Sequence, residues 1–469
     1  MPILLLVILQ WVPGYSQIVD LSESPRQEAK NTPSGKWEGK IQLPGAELRI
    51  FFQIEELAAG TFRARMASPD QGANNIPVEG VSWNQDSLIL NVKAVGGTYA
   101  AKLSADKTQF VGLWKQGGGA FPLTVKNVAA LQFYPKRTQD PQRPLPYKEE
   151  NVKFQNKAAG ITLGGTLTLP QGKGPFPTVL LISGSGSQNR DEEIMGHKPF
   201  LVLSDYLTRR GIAVLRVDDR GIGESTGDAS AHTSADNAKD VLASLDYLKT
   251  RPEVAKNKIG LIGHSEGGMI APMVAAQSKD VGFIVLLAGV GFPGDQLHRR
   301  QVEDMMRLAK ASEEDIQKAL AVNEKLYAVI KAEKETPSIN DKLLAVIRQH
   351  APGQESAMIQ TVTVLAQPWF RYFINFDPVP YLKKVKCPVL ALNGSKDIQV
   401  ASKENLAAIE KAIRQGGNSN VTTKELEGLN HLFQTAETGR IAEYAKIDET
   451  FSPVALKTIG DWIDSVVLN

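Results

Sequence analysis

The residues Gly263-His264-Ser265-Glu266-Gly267-Gly268 set a serine in the spacing G-x-S-x-G. The run Lys258-Ile259-Gly260-Leu261-Ile262 before it is strand-like, and the stretch 269–276 after it has the composition of a buried helix. In that context the motif is a nucleophile elbow: a tight strand-to-helix turn presents the hydroxyl, and the glycines let neighbouring backbones come close. A serine hydroxyl is a weak nucleophile at neutral pH, so it needs a base within hydrogen-bond reach and an acid that orients the base. The chain has six histidines. His264 lies beside the serine and is expected to point away from it, while His197, His232, His298 and His350 fall in loops or in a long helical insertion. His431, in Glu427-Gly428-Leu429-Asn430-His431-Leu432-Phe433, sits in a glycine-containing loop between the last strand and the final helix. Asp397 follows the strand Pro388-Val389-Leu390-Ala391-Leu392 at its carboxyl edge, where open α/β sheets place their ligand sites. Ser265, Asp397 and His431 are therefore the expected nucleophile, acid and base. The competing readings are a turn or helix-capping aspartate for Asp397 and a surface-loop histidine for His431.

Acyl transfer builds negative charge on the carbonyl oxygen, which backbone N–H groups must meet, each worth about 10²- to 10³-fold in rate. One expected donor is Glu266, the residue after the nucleophile. The other is Ser185, in the glycine-rich loop Ser183-Gly184-Ser185-Gly186-Ser187-Gln188 that follows the strand Pro177-Thr178-Val179-Leu180-Leu181-Ile182. A phosphate-cradling role for this loop fails on spacing, because Asn189 stands where G-x-G-x-x-G needs its third glycine. The same pattern fails at Gly221 and Gly223, with Thr226 in that place. Asp218-Asp219-Arg220 reads as a turn brace at the sheet edge.

These residues need a scaffold, and the chain changes character along its length. Residues 1–16 read as a secretory signal, with the apolar run Ile3-Leu4-Leu5-Leu6-Val7-Ile8-Leu9 too short to span a bilayer; periplasmic or secreted residence follows from it. Over 36–130, short alternating runs such as Leu48-Arg49-Ile50-Phe51-Phe52-Gln53-Ile54 and Ser87-Leu88-Ile89-Leu90-Asn91-Val92 are broken by Gly, Asn and Pro, which predicts a small all-β domain, a sandwich or barrel. Residues 131–150, with Pro135, Pro141, Pro144 and Pro146, read as an extended linker. Over 151–469, strands apolar on both faces alternate with amphipathic helices, predicting an α/β fold with a mainly parallel sheet. About 292–385 reads as a helical lid inserted between two strands. Its aromatic group Trp369, Phe370, Tyr372, Phe373 and Phe376 suits either an acyl pocket or lid packing.

Composition narrows the classes. With 469 residues, 42% hydrophobic and 22% charged, the chain is an ordinary globular protein of two or three domains. Lys and Arg number 53 against 51 Asp and Glu, a net charge of +2, which gives no electrostatic reason for a nucleic-acid partner. The single cysteine, Cys387, lies in an apolar stretch and reads as buried and inert; it can form no internal disulfide and no multi-cysteine metal site.

Leu181-Ile182-Ser183-Gly184-Ser185-Gly186-Ser187-Gln188-Asn189-Arg190-Asp191, Asp218-Asp219-Arg220-Gly221-Ile222-Gly223-Glu224-Ser225 and the Ser265 motif resemble the α/β-hydrolase superfamily, in particular bacterial serine carboxylesterases with a β-rich N-terminal domain. The resemblance covers residues 151–469, about two thirds of the chain. The order Ser265, Asp397, His431 is the one that template demands. Ser183 stands where many relatives carry a histidine. The resemblance implies hydrolysis of small-molecule, short-chain carboxylic esters with no cofactor, through an acyl-enzyme on Ser265. A peptidase or an acyl-CoA thioesterase on the same fold is an alternative, as is a carbohydrate- or lipid-binding protein with a silent hydrolase domain. A propeller peptidase is excluded, since the residues before the linker cannot supply several blades of about 40 to 50 residues each.

Overall fold

The computed structural model describes residues 32–467 apart from 44–45, 59, 70–72, 132–133, 135, 334–337, 351 and 353–354. The expected signal segment lies outside the described residues. The chain divides into two compact units with the boundary between Pro135 and Lys136.

The first unit is all β. Its strands are β1 (Gly35–Leu43), β2 (Ala46–Ala58), β3 (Thr61–Ser68), β4 (Ala73–Val78), β5 (Gly80–Asn84), β6 (Ser87–Val92), β7 (Gly97–Leu103), β8 (Gln109–Gln116) and β9 (Gly119–Val128). They form one antiparallel sheet in the order β4-β3-β2-β1-β9-β8-β7-β6-β5. The two ends of that sheet come together, with β3 against β5 and β4 against β6, so it curls into a barrel-like shell. Alternation explains the inside: in β6, Leu88, Leu90 and Val92 are buried while Ile89 and Asn91 face out. Trp37, Phe52, Tyr99, Phe110 and Trp114 fill the interior, and Phe52 stacks on Tyr99 at 5.3 Å. The polar tips among these rings are satisfied: Tyr99 Oη–H donates to the Leu123 carbonyl at 3.0 Å, Trp37 Nε1–H to the Pro33 carbonyl at 2.9 Å and Trp114 Nε1–H to Gln116 Oε1 at 3.0 Å.

The second unit carries the candidate chemistry. Its strands are β10 (Lys148–Asn156), β11 (Ile161–Leu169), β12 (Phe176–Ile182), β13 (Ala213–Val217), β14 (Val254–His264), β15 (Phe283–Leu287), β16 (Val389–Gly394) and β17 (Val421–Leu426). They pair in the order β10-β11-β13-β12-β14-β15-β16-β17. The pairs β10/β11 and β11/β13 are antiparallel and every other pair is parallel. Strand β15 is buried at all five positions, as a strand covered on both faces must be. The helices are α1 (Pro199–Arg209), α2 (Ser234–Thr250), α3 (Glu266–Ala275), then α4 (Gly294–Leu308), α5 (Glu313–Ala332), α6 (Ile339–His350), α7 (Glu355–Leu365), α8 (Pro368–Asn375) and α9 (Val379–Leu382) between β15 and β16, and finally α10 (Ser402–Gln415), α11 (Ile441–Tyr444) and α12 (Pro453–Val467). The insertion read from sequence at about 292–385 is thus helical, with α8 packed on α2 and α4. Among the described residues no helix is long and apolar enough to cross a membrane. Cys387 is partly buried, and burial pushes its thiol up to about 12.

The proline-rich segment departs from the linker expectation. From Lys136 on it belongs to the second unit, and β10 already begins at Lys148. Arg137 is 3% exposed and donates to the carbonyls of Ile447 (2.9 Å), Met195 (2.9 Å) and Ala445 (3.0 Å). The Gln139 side chain accepts from Phe451 N–H at 2.9 Å and donates to its carbonyl at 2.8 Å. Proline blocks ladder hydrogen bonding, but polar side chains can still tie an extended strap down. The strap fastens the chain that follows His431.

Removing Arg137 leaves buried carbonyls without a donor. Arg137→Ala is expected to lower the unfolding free energy by about 2–4 kcal/mol, read as a lower urea midpoint at unchanged m-value. An unchanged midpoint would contradict the strap.

Candidate active site

Strands β14, β16 and β17 end at one edge of the sheet, and the three expected residues follow them directly. Ser265 joins β14 to α3 with φ 52° and ψ −112°. A non-glycine residue held there costs of order 1–3 kcal/mol unless its surroundings impose it. Here they do. Ser265 N–H donates to the Leu287 carbonyl at the end of β15 at 2.8 Å. A Cβ at Gly263 would lie 2.0 Å from the Gly267 carbonyl oxygen, and one at Gly267 would lie 2.1 Å from that of Ile182. Both positions must therefore be glycine for the turn to close against β12.

His431 Nδ1 lies 2.8 Å from Asp397 Oδ2. The other carboxylate oxygen, Oδ1, accepts Gln399 N–H at 2.8 Å and Val400 N–H at 2.9 Å. The two readings of Asp397 are therefore both realised in one side chain: one oxygen makes a turn, and the other orients a histidine. With Nδ1–H given to Asp397, the His431 Nε2 lone pair is the one left to accept a proton. Asn430, fully buried, holds the loop by accepting Leu432 N–H and Gln434 N–H on Oδ1. Ser265 and His431 are 7% and 5% exposed. Ser265 Oγ makes no hydrogen bond among the described residues, so the serine and His431 share an edge without a formed hydrogen bond.

Glu266 N–H opens α3, where no helical acceptor exists for it. Gly184 N–H is occupied, donating to Glu192 Oε1 at 2.6 Å. Ser185 N–H makes no hydrogen bond among the described residues, so both expected oxyanion donors are unengaged. The loop that carries Ser185 is clamped from below by the Asp218-Asp219 pair. Asp219 accepts Ser183 Oγ–H at 2.7 Å and Gln188 N–H at 2.8 Å, and Asp218 accepts Arg190 N–H at 2.8 Å and the Arg190 guanidinium. The turn brace read from sequence thus braces the loop, and Ser183 is one of its rungs.

One residue near the site, Glu192, had no sequence signal beyond its type. Glu192, 1% exposed, bridges Gly184 N–H and His264 Nδ1. His264 makes no bond to Ser265, as expected, but its Nε2 reaches the His431 carbonyl at 2.9 Å. The Glu266 carboxyl accepts a hydrogen bond from Ser234 Oγ–H at 2.6 Å. Burial pushes Glu266 up to about 7, with the Ser234, Trp369 and Asn237 side chains opposing the rise. Asp219 is partly buried as a residue, but its carboxyl is enclosed; burial pushes it to about 8, with the Glu266 and Glu192 charges adding to the rise and the Gln188 and Ser183 bonds opposing it. His197 and His298 are pushed down to about 4 by burial and are structural.

An eight-stranded, mainly parallel sheet with a serine elbow after a central strand, and an aspartate and histidine after the last two, defines an α/β-hydrolase. Residues 159–426, more than half of the chain, match the X-Pro dipeptidyl-peptidase (S15) family, and the protein belongs to that family. Esterase EstD of Thermotoga maritima is 28% identical over 314 residues, 66% of this chain and 67% of that one. Esterase FrsA of Serratia proteamaculans is 30% identical over 156 residues, 33% of this chain and 34% of that one. The solved structure of the Pyrococcus furiosus esterase Pf2001 covers 71% of this chain and 96% of its own at 16% identity, with a TM-score of 0.44.

The enclosed carboxylates make a pH-dependent signature. Asp219 rises from 3.8 unfolded to about 8 folded, so the native state keeps a proton that the unfolded chain has lost. Its contribution is complete below pH 4 and disappears as pH rises through about 8. The stability of wild type relative to Asp219→Asn is therefore expected to fall between about pH 5 and about pH 8 in urea titrations. Differencing against the variant cancels the histidines, and a relative stability that climbs across that interval would contradict the assignment.

Proposed function

We propose that the protein, a serine hydrolase of the α/β fold, cleaves short-chain carboxylic esters through an acyl-enzyme on Ser265. The observation that carries this reading is the His431 Nδ1 to Asp397 Oδ2 hydrogen bond at the sheet edge where the strained Ser265 elbow also ends. His431, oriented by Asp397, takes the Ser265 proton as Oγ attacks the ester carbonyl. The oxyanion forms against the N–H groups of Glu266 and Ser185. Collapse expels the alcohol, protonated by His431, and water deprotonated by the same histidine then releases the acid. In this reading no cofactor takes part.

The family also holds dipeptidyl-peptidases by name, and that is the second reading. Releasing a dipeptide from a chain's N-terminus requires a group that holds the terminal ammonium, for which a carboxylate is suited. Three carboxylates around the elbow are already committed: Glu192 to His264 and Gly184, Asp219 to Ser183 and Gln188, and Glu266 to Ser234. That commitment favours an uncharged acyl group, as do the esterase names of the two relatives. We also propose a periplasmic or secreted location, on the apolar run of residues 3–9 alone.

Hydrolysis of p-nitrophenyl acetate and butyrate is expected to exceed that of X-Pro p-nitroanilides by orders of magnitude; the reverse preference would install the peptidase reading. Ser265→Ala is expected to abolish both turnover and fluorophosphonate labelling in a folded protein. Asp397→Asn is expected to lower kcat by about 10⁴-fold, because the wrong His431 tautomer then faces the serine. Full activity in either variant would remove these residues from the mechanism.

A further inference from the structure

We propose that His264 is a buried imidazolium, paired with Glu192, that positions the catalytic groups by tying the oxyanion loop, the serine elbow and the His431 loop together. This rests on the serine-hydrolase reading above. His264 ends β14, precedes the nucleophile, and is 5% exposed. Its Nε2 lies 2.9 Å from the His431 carbonyl oxygen, which can only accept, so Nε2 carries a hydrogen. Its Nδ1 lies 2.9 Å from Glu192 Oε1. An ionised carboxylate also only accepts, so Nδ1 carries a hydrogen too, and the ring is cationic.

The surroundings fit an ion pair made for geometry. Glu192 Oε1 additionally accepts Gly184 N–H at 2.6 Å, so a single oxygen binds the oxyanion loop and the elbow at once. A Cβ placed on Gly184 would lie 3.1 Å from Glu192 Oε1 and 3.4 Å from both His264 Nδ1 and Ser265 Cβ. The loop backbone therefore rests directly on the pair and on the nucleophile. Glu192 reaches this position from the left-handed region, at φ 52°, a cost retained for a side chain that is 1% exposed. The titratable groups facing His264 are Glu192 from the loop after β12, Asp397 after β16 and the His431 ring, whose centroid is 4.8 Å away; Phe433 covers the remaining edge. Burial alone would push the His264 imidazole down, but the Glu192 charge and hydrogen bond, the His431 carbonyl and the Asp397 charge outweigh it and hold the group above its ordinary value.

The pair touches no reacting atom. It fixes the main chain of the base relative to that of the nucleophile, where a misplacement of about 1 Å costs about 10²-fold in rate. The His264 Nε2–H bond to the His431 carbonyl is the direct tie between those two segments.

The test uses the full chain labelled with ¹⁵N-histidine. Among its histidines, one ring with both nitrogens protonated is expected to persist at about pH 8, well above the ordinary histidine pKa, and to be lost in His264→Gln. A neutral His264 with a bare Nδ1, the proton residing on Glu192, would overturn the imidazolium. Glu192→Gln keeps a hydrogen-bond partner for both Gly184 and His264 but removes the charge. It is expected to lose the doubly protonated signal and to lower kcat for an aryl ester by about 10- to 100-fold at nearly unchanged KM. Unchanged kcat in a variant that has lost the signal would overturn the positioning role. Should the variant not fold, the wild-type spectrum still decides the protonation state. A wild-type protein that neither hydrolyses esters nor takes a fluorophosphonate label would instead remove the hydrolase reading, with the spectrum unaffected.

Discussion

Ser265 sits at φ 52° in a turn that closes only because glycines at 263 and 267 let three backbone segments touch. That constraint determines what surrounds it. The Gly267 contact with the Ile182 carbonyl brings the end of β12, and hence the loop bearing Ser185, beside the nucleophile. The Leu287 carbonyl, which accepts Ser265 N–H, fixes the turn to β15. Because β15, β16 and β17 are parallel neighbours in register, fixing the elbow on β15 also fixes where Asp397 and His431 emerge. A single strained residue is thus stabilised by the sheet that supplies its partners, and the cost is spread over packing that the core requires anyway.

The second constraint is charge in a dry place. Glu192, His264, Glu266, Asp397 and His431 are each under 9% exposed. Isolated ions there would cost several kcal/mol apiece, so each needs either a partner of opposite sign or enough hydrogen bonds to bear its charge. The structure uses both solutions. Glu192 pairs with His264, whereas Asp397 divides its two oxygens between backbone N–H groups and His431. Glu266 and Asp219 have hydrogen bonds but no cation, and these are the groups pushed towards neutrality. The dipoles aimed at the reaction are therefore set before substrate arrives, which is the condition for electrostatic stabilisation without reorganisation.

How much of this could be read from sequence follows from periodicity. The central strands β12, β14 and β16 are runs of apolar residues, so their existence was plain. Ser265 was legible because a short motif fell between two such signals, and Asp397 and His431 because they follow strands. The antiparallel pair β10 and β11 was not legible: Lys148-Glu149-Glu150-Asn151 offers no apolar alternation at its start. Nor were β1, β4, β5, β7 and β9 of the barrel read as strands. The strap failed for a different reason. Arg137 and Gln139 act through side-chain bonds to distant carbonyls and amides, and such bonds leave no periodic trace. Glu192 belongs to the same class, since its partners lie 8 and 72 residues away.

The aromatic residues of the insertion show where pattern and chemistry diverge. Trp369, Phe370 and Phe373 are buried against one another, with Trp369 stacked on Phe373 at 5.6 Å, and Phe376 stacks on Tyr381 at 5.5 Å. This is packing within the insertion, the blander of the two readings. One side chain of the group does more: Trp369 opposes the burial-driven rise of the Glu266 carboxyl, and Glu266 is the residue whose N–H opens α3 beside the nucleophile. Helix α8 is thereby coupled to the elbow electrostatically across an otherwise apolar layer. A displacement of α8 would remove that influence from a buried carboxyl, so the insertion cannot shift freely without changing the electrostatics one residue from Ser265.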